Sequence, residues 1–466
     1  MNKNENIVIV GAGLCGSLLA LRLAQRGYQI DLREERPDLR KTDISAGKSI
    51  NLAFSDRGIK ALKMVGVADK VFPLCIPMTG RMIHSVEGET FLSPYSARKE
   101  EYINSVSRGG LNGLLLDEVE KYDNVTLSFQ NECTHIDLEN NTATFYNSNL
   151  QKEEKVAVTI IFGTDGAGSI LRKEMFLQRK ILFSYSQQFL KHGYKELTIP
   201  AAKNGDFKTY KNALHIWPRG HYMLIALPNL DGSFTVTLFL PHKDSEYSFE
   251  ELNSDEKITN FFKKQFPDAL ELMPNLIEEY HKNPVGNLGT IKCSPWNYKG
   301  KTLLIGDAAH AVVPFYGQGM NASFEDVFVL DTYIEKHEGD WSKIFEEYEN
   351  ERKKDADAIG YLAVENFYEM RDHVANPIFK KKRQIEITLE ENFPEEYYSK
   401  YSMVTFKEDM GYDEAKKIGN AQDKALLNLI ADEKIEGLTI KEIFELVKKE
   451  VSEIIDDDKV AKTMKH

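Results

Sequence analysis

The sequence holds only four cysteines in 466 residues, Cys15, Cys75, Cys133 and Cys293. None falls in a C-x-x-C pair, so neither a zinc site nor a disulfide framework is expected. Scattered free thiols fit a reducing, cytoplasmic setting. Long hydrophobic runs are also missing. No apolar stretch approaches the roughly 18 residues that a membrane span needs, and no membrane partner is expected. Residues 1–6 lead straight into Ile7–Val10, which is too short for the apolar core of an export signal. Basic residues do not predominate either. Lys and Arg number 59 against 72 Asp and Glu, a net charge of −13. Such an excess repels a phosphate backbone, so no nucleic-acid partner is expected. The one dense basic run, Lys380-Lys381-Lys382-Arg383, reads as a solvated helix face. Internal repeats and low-complexity linkers are absent.

What is present is an alternation of strands and helices. Ile7–Val10 runs into Gly11. A helical pattern follows, with Leu14, Leu18, Leu21 and Ala24 on one face, and stops at Gly27. Gln29–Arg33 reads as a second strand, and Ser55 as a cap before Ile59, Leu62 and Val65. Val156–Phe162 and Thr302–Ile305 are further β-branched strands, each ending in glycine and aspartate. This order predicts a parallel sheet with a ligand at its carboxyl edge. The middle differs: Ala213–Trp217, Tyr222–Ala226 and Phe234–Leu240 read as antiparallel strands. From about Asp355 the pattern is helical and charged, with amphipathic helices near the end.

Three motifs carry chemistry. In Gly11-Ala12-Gly13-Leu14-Cys15-Gly16, Gly11 permits a tight turn and Gly13 lets backbone approach a pyrophosphate. Gly16 allows close helix packing. Glu34 ends the next strand, where a carboxylate accepts from ribose hydroxyls. This motif alone does not separate FAD from NAD. In the second, Asp307 stands at a strand end to accept from a ribityl hydroxyl. Gly317–Asn321 opens a helix whose N–H groups suit the charge that develops on a reduced flavin. His310 reads as structural. The third, Gly163-Thr164-Asp165-Gly166, puts another carboxylate and close backbone at the same edge.

Together the motifs resemble those of single-component FAD-dependent aromatic hydroxylases. Arg108 matches the arginine that family places on the flavin. The segments 47–53, Asp56-Arg57-Gly58, Arg81–His84, Pro94-Tyr95, Val313–Phe315, Asn366–Val374 and Tyr401–Phe406 are similar to those of the kynurenine 3-monooxygenase family. The resemblance implies non-covalent FAD held by Gly11, Gly13, Cys15, Gly16, Glu34, Arg36, Ala53, Arg108, Asp165, Asp307, Gly319, Met320 and Asn321. It implies that Arg81 and Tyr95 hold an amino-acid carboxylate, that Asn366 and Tyr401 complete the pocket, and that Phe315 and Met320 line the ring site near the flavin. Arginine suits a carboxylate because its planar fork binds both oxygens. Taken singly, Tyr95 and Tyr401 also read as core tyrosines and Asn366 as an exposed helix residue.

The implied fold is α/β: a Rossmann-like FAD-binding domain, an inserted antiparallel-sheet substrate domain and a helical C-terminal region. The expected partition gives residues 1–75, 105–180 and 291–350 to the FAD domain. Residues 76–104 and 181–290 go to the substrate domain, and 351–466 to the helices. The implied reaction is hydroxylation of L-kynurenine by O2 through a C4a-hydroperoxyflavin, with NADPH as transient reductant, in tryptophan degradation. No protein base is nominated, because the aniline nitrogen already activates the ring. Two other readings stay open: a hydroxylase of another aromatic acid, and a flavin-binding module without turnover.

Overall fold

The computed structural model describes residues 6–41, 51–373 and 377–463. Residues 47–50 and Val374 of the segments above lie outside the described residues.

Ile7, Val8 and Ile9 are fully buried, as expected for a strand covered on both faces. Asn6–Val10 sits inside a six-stranded sheet. It pairs in parallel with Gln29–Arg33 on one side and Ile160–Gly163 on the other. Thr302–Leu304 adds in parallel to Ile160–Gly163, so strands distant in sequence bring their carboxyl ends to one edge. The helix Leu14–Gln25 buries ten of its residues against this sheet and ends before Gly27, whose φ is +86°.

Val156–Phe162 is not one strand. Lys152–Ala157 belongs to a separate antiparallel sheet with Thr142–Asn147 and Asn131–Asp137, and Ile160–Gly163 enters the parallel sheet. The apolar run continues across the break because Val158 is buried at the junction, so composition alone conceals the change of sheet.

The substrate-side sheet has seven strands. Gly286–Ser294, the 16-residue Ser184–Ile199, Phe234–Pro241, Met223–Pro228 and Leu214–Pro218 pair antiparallel in that order. Gly80–His84 then joins Leu214–Pro218 in parallel and pairs antiparallel with the edge strand Thr90–Pro94. Arg81 is thereby fixed on a sheet strand, not on a loop.

The last part is helical: Trp341–Tyr368, Pro377–Asn392, Lys400–Thr405, Tyr412–Ala431 and Ile440–Thr463. Leu389, Tyr397, Leu426, Leu429 and Phe444 form their own apolar cluster. No helix among the described residues is long and apolar enough to cross a membrane. In the basic run Lys380 and Lys381 are exposed as expected, and Lys382 departs from that solvated face. Lys382 is buried, with its Nζ 2.6 Å from Asp423 and 3.0 Å from Glu386.

Candidate active site

The three glycines of the first motif do different things. A side chain on Gly11 would come 2.9 Å from the Asp165 Cα and the Thr164 carbonyl oxygen, so the first and third motifs touch here. One on Gly16 would lie 1.9 Å from the Gly11 oxygen. One on Gly13 would meet nothing within 4 Å. The protein therefore leaves space in front of Gly13, at the N-terminus of the helix, where an anion is favoured.

Glu34 is buried. Its Oε2 accepts from the Ala12 N–H at 2.9 Å, and its Oε1 accepts from the Arg36 backbone at 3.1 Å and guanidinium at 2.6 Å. The carboxylate thus ties the second strand to the glycine loop, with lone pairs left for a ribose. Cys15 is buried, and burial, with Asp326 and Asp307 adding, pushes its thiol well up. It offers backbone and no nucleophile.

Asp165 and Asp307 stand at the ends of neighbouring strands. Asp165 Oδ2 accepts from the Ile170 N–H at 2.7 Å, and Oδ1 is buried without a hydrogen-bond partner. Asp307 follows Gly306, whose φ is +63° and where a side chain would meet the Cys15 sulfur at 2.9 Å. Its surface is open while protein crowds around it, as on the wall of a cleft. That crowding raises its pKa against the pull of Arg108 and His310. Arg108 is exposed at the start of the helix Arg108–Val119.

Asn321 is fully buried. Its amide donates to the Ala53 oxygen at 2.8 Å and the Gly317 oxygen at 2.9 Å, and its Oδ1 accepts from Ser55 N–H at 3.0 Å. The side chain clamps the N-terminus of the helix Gly319–His337 to the strand Asn51–Phe54. The Asn321 side chain is taken up by this clamp, which leaves its backbone for a cofactor. Open space at Gly13, Gly166 and Gly168, the orphaned Asp165 oxygen and the cleft carboxylate of Asp307 fit a pyrophosphate and a polyhydroxyl chain.

Beside this cradle lies a cavity of 540 Å³ whose walls include Arg81, Tyr95, Tyr316, Asn366, Glu369 and Tyr401. Tyr95 and Tyr316 stack on either side of Tyr401 at 4.9 and 5.5 Å. The Arg81 guanidinium carbon lies 5.1 Å from the Tyr401 ring and 5.8 Å from that of Tyr95. Burial raises the pKa of all three phenols, so they stay neutral donors. No described carboxylate forms an ion pair with Arg81. Asn366 donates to the Phe315 carbonyl at 2.7 Å. The Phe315 ring is not in the cavity wall. It packs between Phe239 and Phe367 at 4.8 and 4.4 Å, behind the pocket.

Sequence reasoning missed Tyr316, Glu369 and the lysines of this cavity. Tyr316 directly precedes the Gly317–Asn321 loop, which was the available signal. Lys382 and Lys400 share Asp423, with Lys400 Nζ 2.5 Å from its Oδ2. Nothing local to residues 380–400 announces that partner. His310, as read, is structural: it is buried with its Nε2 2.6 Å from Asp326.

A parallel sheet with a glycine cradle, two aspartates at its edge and an aromatic cavity alongside defines a flavin-dependent monooxygenase fold. The family model described as an FAD binding domain matches residues 4–360. In solved structures the same fold occurs in 2-methyl-3-hydroxypyridine-5-carboxylic acid oxygenase, with a TM-score of 0.63 and 19% identity over 80% of this chain and 94% of that one. PqsL of Pseudomonas aeruginosa has a TM-score of 0.63 and 16% identity over 79% and 97%. The kynurenine 3-monooxygenase of Dictyostelium discoideum is 44% identical over 96% of this chain and 98% of its own length. That of Myxococcus xanthus is 43% identical over 97% and 95%. The chain belongs to the kynurenine 3-monooxygenase family.

Proposed function

We propose that the protein hydroxylates L-kynurenine to 3-hydroxykynurenine with O2, using FAD reduced by NADPH. The observation that carries this is Arg81: a guanidinium in no close ion pair among the described residues, within only the longer-range pull of Glu369, in a tyrosine-walled cavity beside the nucleotide cradle. Such a group is poised for a carboxylate brought by the substrate. The cradle residues Gly11, Gly13, Gly16, Glu34, Asp165, Asp307 and the backbone at 319–321 hold FAD. When bound, FAD supplies the activation of oxygen.

The chain's own contribution is placement. Arg81 and Tyr95 take the carboxylate, Asn366 and Tyr401 close around it, and Glu369 supplies the negative charge an ammonium group requires. Neutral phenols donate hydrogen bonds and exclude water without competing for the proton. The N–H groups that open the helix Gly319–His337 stabilise negative charge developing beside them. The amino group of the substrate donates electron density to its own ring, so no side chain need act as a base. Four free cysteines support a cytoplasmic setting, which cell fractionation checks.

The deciding experiment is product identification by mass spectrometry after incubation with L-kynurenine, NADPH and air. One added oxygen at the carbon ortho to the amino group is expected. Coenzyme oxidation without that product, or a yellow protein that leaves NADPH untouched, would defeat the reading.

A further inference from the structure

Two buried arginines lie between the nucleotide cradle and the substrate cavity. Arg57 has a side chain with no exposed surface, and Arg352 is 2% exposed. They share Glu325: Arg57 Nη1 reaches its Oε1 at 2.8 Å and Arg352 Nη1 its Oε2 at 2.9 Å. Arg352 Nε continues to Asp326 at 2.9 Å. Asp326 in turn accepts from the Gly306 N–H at 3.1 Å, at the turn that presents Asp307.

On its other side Arg57 donates to three carbonyls: Val404 at 2.8 Å, Met403 at 3.3 Å and Met410 at 2.6 Å. Its guanidinium also lies 4.1 Å from the Tyr412 ring. Met403 and Val404 are in the last turn of the short helix Lys400–Thr405, which carries Tyr401. The last carbonyls of a helix have no partner within it, so Arg57 caps the helix that holds a cavity wall. Buried ion pairs are weak contributors to stability against apolar replacements of the same size. A chain of them is better understood through the geometry it fixes.

We propose that Arg57 is a positioning residue for the substrate, acting through Tyr401: it sets the distance between the Tyr401 wall and the flavin-side turn at Gly306. This rests on the reading of the cavity as the kynurenine site. Two helices that met only through apolar contact would slide. A guanidinium that satisfies one carboxylate and three carbonyls permits one arrangement, and a lysine, with a single ammonium, cannot reproduce it.

The test is a double-mutant cycle on the FAD-loaded protein, with equilibrium binding of L-kynurenine followed by calorimetry. Arg57→Lys keeps a charge beside Glu325 and should weaken binding about tenfold, with FAD content unchanged. Tyr401→Ala should weaken it by at least as much. The double variant should bind within about twofold of Tyr401→Ala alone, because the lysine acts only through the missing ring. If the two effects multiply, or if Arg57→Lys binds normally, the inference is overturned. If Tyr401→Ala alone binds normally, the cavity itself is misread and the inference falls with it. Should Arg57→Lys fail to fold, Arg57→Gln with Glu325→Gln removes both charges together and enters the same cycle.

Discussion

At the scale of single residues, similar side chains have different fates. Gly13 and Gly16 are three positions apart, but Gly16 faces backbone and Gly13 faces open space. Gly13→Val should therefore fold and lose flavin, which absorbance of the purified protein would show. Gly16→Val should lose the fold, visible as a collapsed melting transition. Arg81→Ala removes a charge-assisted hydrogen bond worth roughly 1.5–3 kcal/mol, so kcat/KM for L-kynurenine should fall at least about tenfold. Flavin content should hold, and Arg81→Lys should recover only part of the loss. Loss of FAD in step with activity would move Arg81 into the cradle. Arg81, Tyr95, Asn366 and Tyr401 were legible in the sequence only through their joint resemblance. Phe315 was legible as apolar and near the Gly317–Asn321 loop, but the packing of its ring depends on Phe239 and Phe367, far off in the chain.

At the scale of elements, the βαβ opening was readable because every position obeys its local rule, from the β-branched strand to the glycine stop. The strand Ser184–Ile199 was not. Its first half is largely exposed and polar, and only pairing with Gly286–Ser294 keeps it extended. Lys382 shows the opposite error, since its burial beside exposed Lys380 and Lys381 depends on a helix some forty residues on. Asp423 holds Lys382 and Lys400 at once. Burial works against its charge, and the two ammonium groups outweigh that and lower its pKa. A carboxylate with a depressed pKa contributes stability above its unfolded value, near 4, which is lost as pH falls through the lower folded value. Asp423→Ala should cost about 3–5 kcal/mol by leaving the largely buried Lys400 without its ion-pair partner and Lys382 with Glu386 alone. Denaturant unfolding at neutral pH measures that loss, and a shift within ±0.5 kcal/mol would show the lysines to be solvated after all.

For the molecule as a whole, acid should act through one buried histidine of the substrate-side sheet, His215. His215 has no exposed surface, its Nδ1 lies 2.8 Å from His84 Nε2, and its Nε2 lies 2.7 Å from the Tyr210 carbonyl oxygen. Burial pulls its pKa from 6.5 to about 4. The native state then binds fewer protons than the unfolded chain between those values. Stability should fall by about 3 kcal/mol as pH drops from 6.5 to 4. Melting temperatures across that range should decline, and His215→Phe should flatten the decline. The parallel sheet has another consequence, in time. Its cradle is assembled from the first strand and the turn at Gly306, and Cys15 meets Ser323 across 308 residues of chain. A ribosome adding about 5–20 residues per second needs roughly 15 to 60 seconds to pass from one to the other. Throughout that interval the glycine loop and its apolar strand are outside the ribosome with half their partners unmade. Flavin should therefore join only after the chain has been made past Ser323, and a nascent protein stalled before Gly306 is expected to be a client for chaperones, not an early holoenzyme.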